Sequence, residues 1–178
     1  WIDAFVREKG GGLVFVAGPE LYNPNSYVGT PLEDLLPVVL SDEQITGGVH
    51  TAFRPEVTAE GAVSPILRFE RDLRENAETW RRLKGFYWYY RARRAKPGAR
   101  VLLHHPTANN PLAPGGKYPI MALQRVGAGQ VFFSASDETW RWRHYTGRRY
   151  FNSFWIQLLR HLALPQEAFR PLSETILH

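Results

Sequence analysis

The chain of 178 residues contains no cysteine and only one methionine. Without a thiol it can form neither a disulfide scaffold nor a thiolate metal site, and it has no cysteine nucleophile. It also lacks any apolar run near the roughly 20 residues that a membrane-spanning helix needs, so we expect it to be soluble by itself. The sequence begins at Trp1 with no initiator methionine and no signal-peptide core, which predicts a piece of a longer protein.

The composition that remains is typical of a globular protein. Hydrophobic residues make up 44% of the chain and charged residues 22%, which excludes disorder over its whole length. Lys and Arg number 22 against 17 Asp and Glu, so the formal net charge is +5. Length and patterning predict one domain over residues 1–164, followed by a C-terminal tail over residues 165–178.

Hydrophobic spacing predicts alternating helices and strands. A helix at the amino end, three glycines and an apolar strand over residues 13–17 indicate half of an α/β repeat, with the strand buried on both faces. Two later strands, 118–125 and 130–133, flank the turn Gly127-Ala128-Gly129, which predicts an antiparallel hairpin. We also predict a strand at 100–104 and helices at 31–36, near 64–69, at 73–83 and over 151–162.

Three segments carry a resemblance to a known family. Residues 5–19, 30–37 and 127–143, the last followed by the aromatic helix within 150–162, resemble the class I glutamine amidotransferase-like domains. The branch they resemble is found in large bacterial membrane proteins, often beside a von Willebrand factor A domain. The resemblance implies an α/β fold: a flavodoxin-like three-layer sandwich with a mostly parallel sheet, here with a late antiparallel hairpin. It also implies that the first strand of the fold lies upstream of Trp1.

The resemblance further implies where catalysis would take place. In active members a sharp turn after the strand matching 13–17 exposes a nucleophilic cysteine, and a histidine and an acid follow a late strand matching 130–133. Here Ala17 and Gly18 stand at the positions that match the elbow, and residues 134–138, which directly follow the late strand, contain no histidine. Glutamine hydrolysis by the family's mechanism is therefore not expected of this chain.

Polar residues follow both of these strands, where open α/β sheets place their ligands. For these polar residues a purely structural role is the alternative to ligand binding: a simple turn after Gly18, and a helix cap at Ser136 or Asp137. His104 and His105 end another predicted strand. Neighbouring side chains on a strand point to opposite faces, so we expect these two histidines not to bind one metal ion. We expect no cofactor either. The candidate ligand cleft comprises Glu20, Tyr22, Asn23, His104, Ser134, Ser136, Asp137 and Glu138.

Arginine and aromatic residues alternate over residues 87–94 and 140–149. Such patches can track phosphates and stack bases, but no nucleic-acid-binding motif is present. An amphipathic surface that meets a neighbouring domain or anionic lipid headgroups is the favoured interpretation. The candidate interaction patch is Trp140, Arg141, Trp142 and Arg143.

These observations favour a catalytically inactive amidotransferase-like domain that binds other domains of the same polypeptide or a protein partner, with a small-molecule ligand as a further option. We expect it to belong to a membrane-attached bacterial protein, on either side of the membrane. The alternative is a hydrolase or sugar-processing enzyme similar to the trehalose-utilisation branch of the same superfamily, using Glu20, His104, Asp137 or Glu138. This enzyme would require at least two of these side chains to lie within hydrogen-bond reach of each other in one pocket. Single-stranded DNA binding through Arg141 and Arg143 is a third, disfavoured class.

Overall fold

The computed structural model describes residues 1–18, 24–41, 51–144 and 147–163. Five helices and seven strands alternate irregularly along these residues, in agreement with the expected α/β class. The helices are α1 (Ile2–Arg7), α2 (Pro31–Leu35), α3 (Ala59–Val63), α4 (Leu73–Arg82) and α5 (Arg149–Ala163). The strands are β1 (Gly12–Val16), β2 (Val38–Val39), β3 (Glu56–Val57), β4 (Arg94–Ala95), β5 (Arg100–Asn109), β6 (Lys117–Val126) and β7 (Gly129–Ser134).

The central sheet is mixed, with strand order β1-β7-β6-β5-β3, and β2 and β4 form a separate antiparallel pair. Among the described strands only the β1–β7 ladder is parallel, whereas β7–β6, β6–β5 and β5–β3 are antiparallel. The expected late hairpin is confirmed, but the expected mostly parallel character holds only for that one ladder. The physical reason is that β6 and β7 follow each other through a tight turn, which permits antiparallel pairing alone.

Both faces of the central strands are covered. Residues 120–123 of β6 and 131–133 of β7 are all at most 1% exposed, although successive side chains point to opposite faces. Phe132 packs edge-on against Phe154 of α5, while Phe133 packs against Phe15 and Tyr90. The sheet therefore lies between α5 on one face and the segment containing Tyr90 on the other.

The first strand is less buried than the sequence predicts. The side chains of Leu13 to Val16 are half-buried, because β1 ends the described sheet order and has β7 as its neighbour there. In place of the expected helix near residues 64–69 the structure has a 3₁₀ turn at Pro65–Leu67, and the short helix α3 lies just before that range. Thr58 and Ser64 each accept a hydrogen bond from a backbone N–H and so start these two elements separately.

The charged helix α4 and the aromatic helix α5 agree with the sequence patterns. Asp72 caps α4 by accepting hydrogen bonds from the amides of Arg74 and Glu75, at 2.8 and 3.0 Å. In α5 the apolar face buries Phe154, Leu158 and Leu162. No helix among the described residues has the length and apolar character to cross a lipid bilayer. The predicted C-terminal tail lies outside the described residues.

Candidate ligand-binding site

The parallel pairing of β1 and β7 brings their carboxyl ends together. Val16 lies beside Ser134, and the Ala17 amide donates a hydrogen bond of 2.8 Å to the Ser134 carbonyl. Ala17 and Gly18, the residues expected at the nucleophile elbow, are both buried and offer only a methyl group and a hydrogen atom. Glu20, Tyr22 and Asn23 of the expected cleft lie outside the described residues.

Ser134 and Ser136 are buried and bonded to nearby backbone groups. The Ser134 hydroxyl donates to the Ser136 carbonyl at 2.7 Å, and the Ser136 hydroxyl accepts from the Glu138 amide at 3.2 Å. Asp137 is exposed and makes no capping bond to the 3₁₀ segment Glu138–Arg143 that follows it. Of the two residues expected as a helix cap, Ser136 bonds a backbone amide at the start of this segment and Asp137 does not, and both serines are buried.

Glu138 joins two segments of the chain. Its Oε2 accepts hydrogen bonds from the amides of Tyr87 and Trp88, the latter at 2.9 Å, while its Oε1 lies 3.7 Å from the guanidinium of Arg141. The carboxylate is only 14% exposed. An ionised carboxylate that accepts two backbone amides can hold the segment at residues 85–90 against the carboxyl end of β7.

Arg141 is held by backbone and by aromatic rings. Its Nε donates to the Gly85 carbonyl at 3.2 Å, and its guanidinium carbon lies 4.4 Å from the ring centre of Tyr87 and 5.2 Å from that of Trp140. These distances are within the range of cation–π attraction. The side chain therefore has a restricted orientation, although a quarter of it remains exposed.

A cavity of about 360 Å³ lies beside Arg141, and we call it the basic pocket. Two backbone hydrogen bonds between Phe53 and Phe86, of 2.9 and 2.8 Å, hold its two walls together. Arg54 is fixed there because its Nε donates to the Leu83 carbonyl at 3.0 Å. The described lining residues are Ala52, Arg54, Lys84, Gly85, Tyr87, Arg141 and His144.

Sequence reasoning identified only Arg141 of this pocket as a candidate. Arg54 and Lys84 belong to no spaced motif, and His144 lies within the stretch 140–149 but was not among the candidate residues. The Phe53–Phe86 bridge that joins these segments is a tertiary contact between irregular stretches. The one usable signal was the arginine and aromatic alternation that includes Arg141.

The expected interaction patch is divided between core and surface. Trp142 is 1% exposed and packs against Phe86 and Phe154, so it is a core residue and cannot form part of a surface patch. Trp140 is 45% exposed, and the Arg143 guanidinium lies 5.6 Å from the Phe151 ring centre. The 3₁₀ geometry places alternate residues of this segment on different sides, which explains the division.

His104 lies away from the carboxyl end of β7. It is in β5, opposite Glu56 of β3, with its Nδ1 3.5 Å from the Glu56 carboxylate, which also binds Lys117 at 2.7 Å. Burial, with Lys117 adding to it, lowers the pKa of His104, and the hydrogen bond from Lys117 lowers the pKa of Glu56. His104 lines a second cavity of about 550 Å³ to which neither Ser134, Ser136, Asp137 nor Glu138 contributes.

The expected ligand cleft is thus not assembled from its described members. His104 and Glu138 belong to separate contact networks, so the convergence that a hydrolase would require is absent from the residues that the structure describes. The same residues contain no group of three or more His, Cys, Asp or Glu suited to a metal ion. The basic pocket is lined by three separate segments, the last of which, containing Arg141 and His144, follows β7 in the chain.

Comparison with known proteins gives similarity of fold alone. No family model and no curated protein match the chain. Among solved structures, the cytoplasmic protein STM3548 from Salmonella typhimurium matches with a TM-score of 0.56 and 19% identity, over 86% of this chain and 56% of that one. The cytoplasmic protein STM1381 from Salmonella typhimurium LT2 matches with a TM-score of 0.59 and 19% identity, over 90% of this chain and 58% of that one. The chain therefore spans a little over half the length of two proteins to which it is similar in fold.

Proposed function

We propose that this chain is a catalytically inactive, glutamine amidotransferase-like domain that serves as a binding module within a larger bacterial, membrane-attached protein. The observation that carries the proposal is the chemistry at the adjoining carboxyl ends of β1 and β7. Ala17 and Gly18 bring no nucleophilic atom, and the hydroxyls of Ser134 and Ser136 are bonded to neighbouring backbone groups. An amidotransferase of this family needs both a nucleophile and a base at this edge.

The proposal takes the mixed sheet as part of a flavodoxin-like three-layer sandwich. The complete burial of successive residues in β6 and β7, with α5 on one face, supports this architecture. The resemblance of residues 5–19 and 127–143 to the family supports the same interpretation. Burial on both faces is what a sheet between two layers requires.

The module binds other domains of its own polypeptide or a protein partner. The basic pocket and the exposed ring of Trp140 beside it support a binding role for this end of the molecule. Aromatic and arginine side chains are enriched at protein interfaces, where each provides a large contact area and a directional donor.

The enzymatic half of the proposal is tested by an assay of glutamine hydrolysis. The purified protein is incubated with glutamine, and ammonia release is compared with that of a heat-denatured sample and of column fractions on either side of the protein peak. We expect no release above these backgrounds, because both reacting groups are missing. Ammonia release that follows the protein peak would overturn the proposal.

A further inference from the structure

The cavity of about 550 Å³ that His104 lines lies against strands β5 and β6, and we call it the β5 cavity. Val101 and His104 of β5 form one wall together with Lys117 and Pro119 of β6, and short segments elsewhere in the chain form the others. Four alanines, two prolines, one valine and one glycine make up eight of its fourteen described lining residues. Side chains of this size leave space beside the sheet, and the volume is well within the range of small-molecule sites.

Arg94 of β4 brings a guanidinium group to the lining of this cavity. The residue is half-buried, and its Nη1 donates to the Ala95 carbonyl at 3.4 Å, which is long for a hydrogen bond. Within the described parts of the chain, Arg94 forms no ion pair with a carboxylate. A guanidinium has several N–H donors, so most of them stay available to a ligand. Partial burial weakens the hydration of such a cation and favours an anion beside it.

The two lysines that line the β5 cavity are bonded to other groups. The Lys117 ammonium donates to the Glu56 carboxylate at 2.7 Å. The Lys96 ammonium donates to two backbone carbonyls at the carboxyl end of α2, at 2.7 and 3.3 Å. Of the three cations in the described lining, Arg94 therefore has the most donors left for a ligand.

The remaining ionisable residues of the lining limit the charge that the cavity accepts. Burial, with Lys117 next in effect, lowers the pKa of His104, so its imidazole is neutral at pH 7. Glu60, the acid of the described lining, lies at an exposed position. One available cation, with an acid in the same cavity, favours a ligand with one negative charge over a ligand with two.

We propose that the β5 cavity binds a small carboxylic acid with an apolar body. The carboxylate pairs with the Arg94 guanidinium, whose planar donors match the two oxygens of a carboxylate. The apolar body packs against Val101, Pro119 and the alanines of the lining. A phosphate monoester carries nearly two negative charges at neutral pH and fits this arrangement less well. The inference goes beyond the proposed function, which assigns the module other domains or a protein as its partner.

The test compares three probes by isothermal titration calorimetry at fixed ionic strength. Phenylacetate has both the carboxylate and the apolar body, phenylacetamide has the same shape without the charge, and acetate has the charge without the ring. We expect phenylacetate to bind at least about tenfold more tightly than either of the others. Equal binding of phenylacetamide, equal binding of acetate, or no binding of phenylacetate at millimolar concentration by the folded protein would overturn the proposal.

Charge variants locate the carboxylate. Arg94→Gln should weaken phenylacetate binding about tenfold, because the paired donors and the charge are lost. Arg100→Gln removes the same charge from an exposed position outside the cavity, next to Val101 in the sequence, and should leave binding unchanged. Unchanged binding in Arg94→Gln, or equal losses in the two variants, would contradict the assignment of Arg94.

A size variant locates the apolar body. Ala99→Leu keeps every charge and places a larger side chain in the cavity, so phenylacetate binding should weaken although the variant remains folded by circular dichroism. Unchanged binding would show that the ligand does not occupy the β5 cavity. These results are independent of the ammonia assay, so a failed ligand class and a failed pseudoenzyme assignment are distinguishable.

Discussion

At the scale of single residues, several buried polar side chains are bonded to the backbone, among them Asn76, Ser134 and His105, and His105 is the clearest case. The centre of its ring lies 4.2 Å from the centre of the Phe53 ring and 4.8 Å from the centre of the Tyr89 ring. Its Nδ1 accepts the Ala108 amide at 2.9 Å and the Thr107 amide at 3.3 Å, so a proton there would displace both bonds. Burial, with Arg91 next in effect, lowers the pKa of His105 from 6.5 to about 4.

This pKa makes the stability of the protein depend on pH. Between pH 6.5 and pH 4 the unfolded chain binds a proton at residue 105 that the folded chain does not, so stability falls as pH falls through this window. The contribution from His105 is about 2 kcal/mol between roughly pH 7.5 and pH 5. Burial also lowers the pKa of His104 and His161, which adds to the effect in the same direction.

The measurement is urea unfolding at these two pH values in the wild type and in His105→Asn. Asparagine keeps an acceptor near the Nδ1 position and does not titrate, so the pH-dependent loss of stability should shrink by about 2 kcal/mol. His144→Asn, at an exposed histidine, is the matched control and should retain the wild-type difference. An unchanged difference in His105→Asn would show that His105 is not the titrating group.

At the scale of elements, the β6–β7 hairpin depends on close backbone approach to α1. Gly127 adopts a φ of +60°, and a Cβ added there would meet the Arg7 carbonyl oxygen at 2.5 Å. The Ala128 amide donates to the same carbonyl at 2.9 Å, which closes the end of the helix onto the turn. The turn thus satisfies a carbonyl at the carboxyl end of α1 as well as reversing the chain.

We therefore expect Gly127→Ala to destabilise the fold by about 2–4 kcal/mol, from left-handed strain together with a backbone clash. Gly98→Ala is the matched control, since Gly98 also has a positive φ, of +82°, but open space around it. Strain alone should cost about 1 kcal/mol there. Chemical denaturation of both variants measures the difference, and equal losses would mean that the contact with α1 is unimportant.

At the scale of the whole molecule, one aromatic cluster joins elements that are distant in sequence. Trp142 follows β7 and contacts Trp80 of α4, Phe86 of the bridge beside the basic pocket, and Phe154 of α5. These rings connect the pocket to the main core, so the position of the pocket walls depends on the cluster. Aromatic side chains of this size contribute strongly to core energetics.

Trp142→Ala should cost about 3–5 kcal/mol, a large fraction of the total for a domain of this size. Trp140→Ala, two residues earlier and 45% exposed, should cost less than about 1 kcal/mol. Thermal unfolding followed by circular dichroism separates the two outcomes. Similar losses in both variants would contradict the assignment of Trp142 to the core and of Trp140 to the surface.

Local patterns in the sequence were sufficient for the elements whose cause is local. The apolar spacing over residues 151–162 predicted α5, and the Gly127-Ala128-Gly129 turn between two apolar runs predicted the hairpin. The absence of cysteine and of a nucleophilic side chain at Ala17 and Gly18 also follows from the sequence, because the identity of a residue needs no geometry. These features depend on side chains within a few residues of each other.

Tertiary structure alone decided the direction of the sheet, the division of the tryptophans and the basic pocket. Whether two strands pair in a parallel or an antiparallel way depends on how distant parts of the chain come together. The described central sheet has one parallel ladder and three antiparallel ladders. Trp140 and Trp142 look alike in sequence, and only packing against Phe86 and Phe154 buries the second. Arg54, Lys84 and Arg141 meet because the Phe53–Phe86 bridge joins two irregular segments, and such a contact leaves no periodic trace in the sequence.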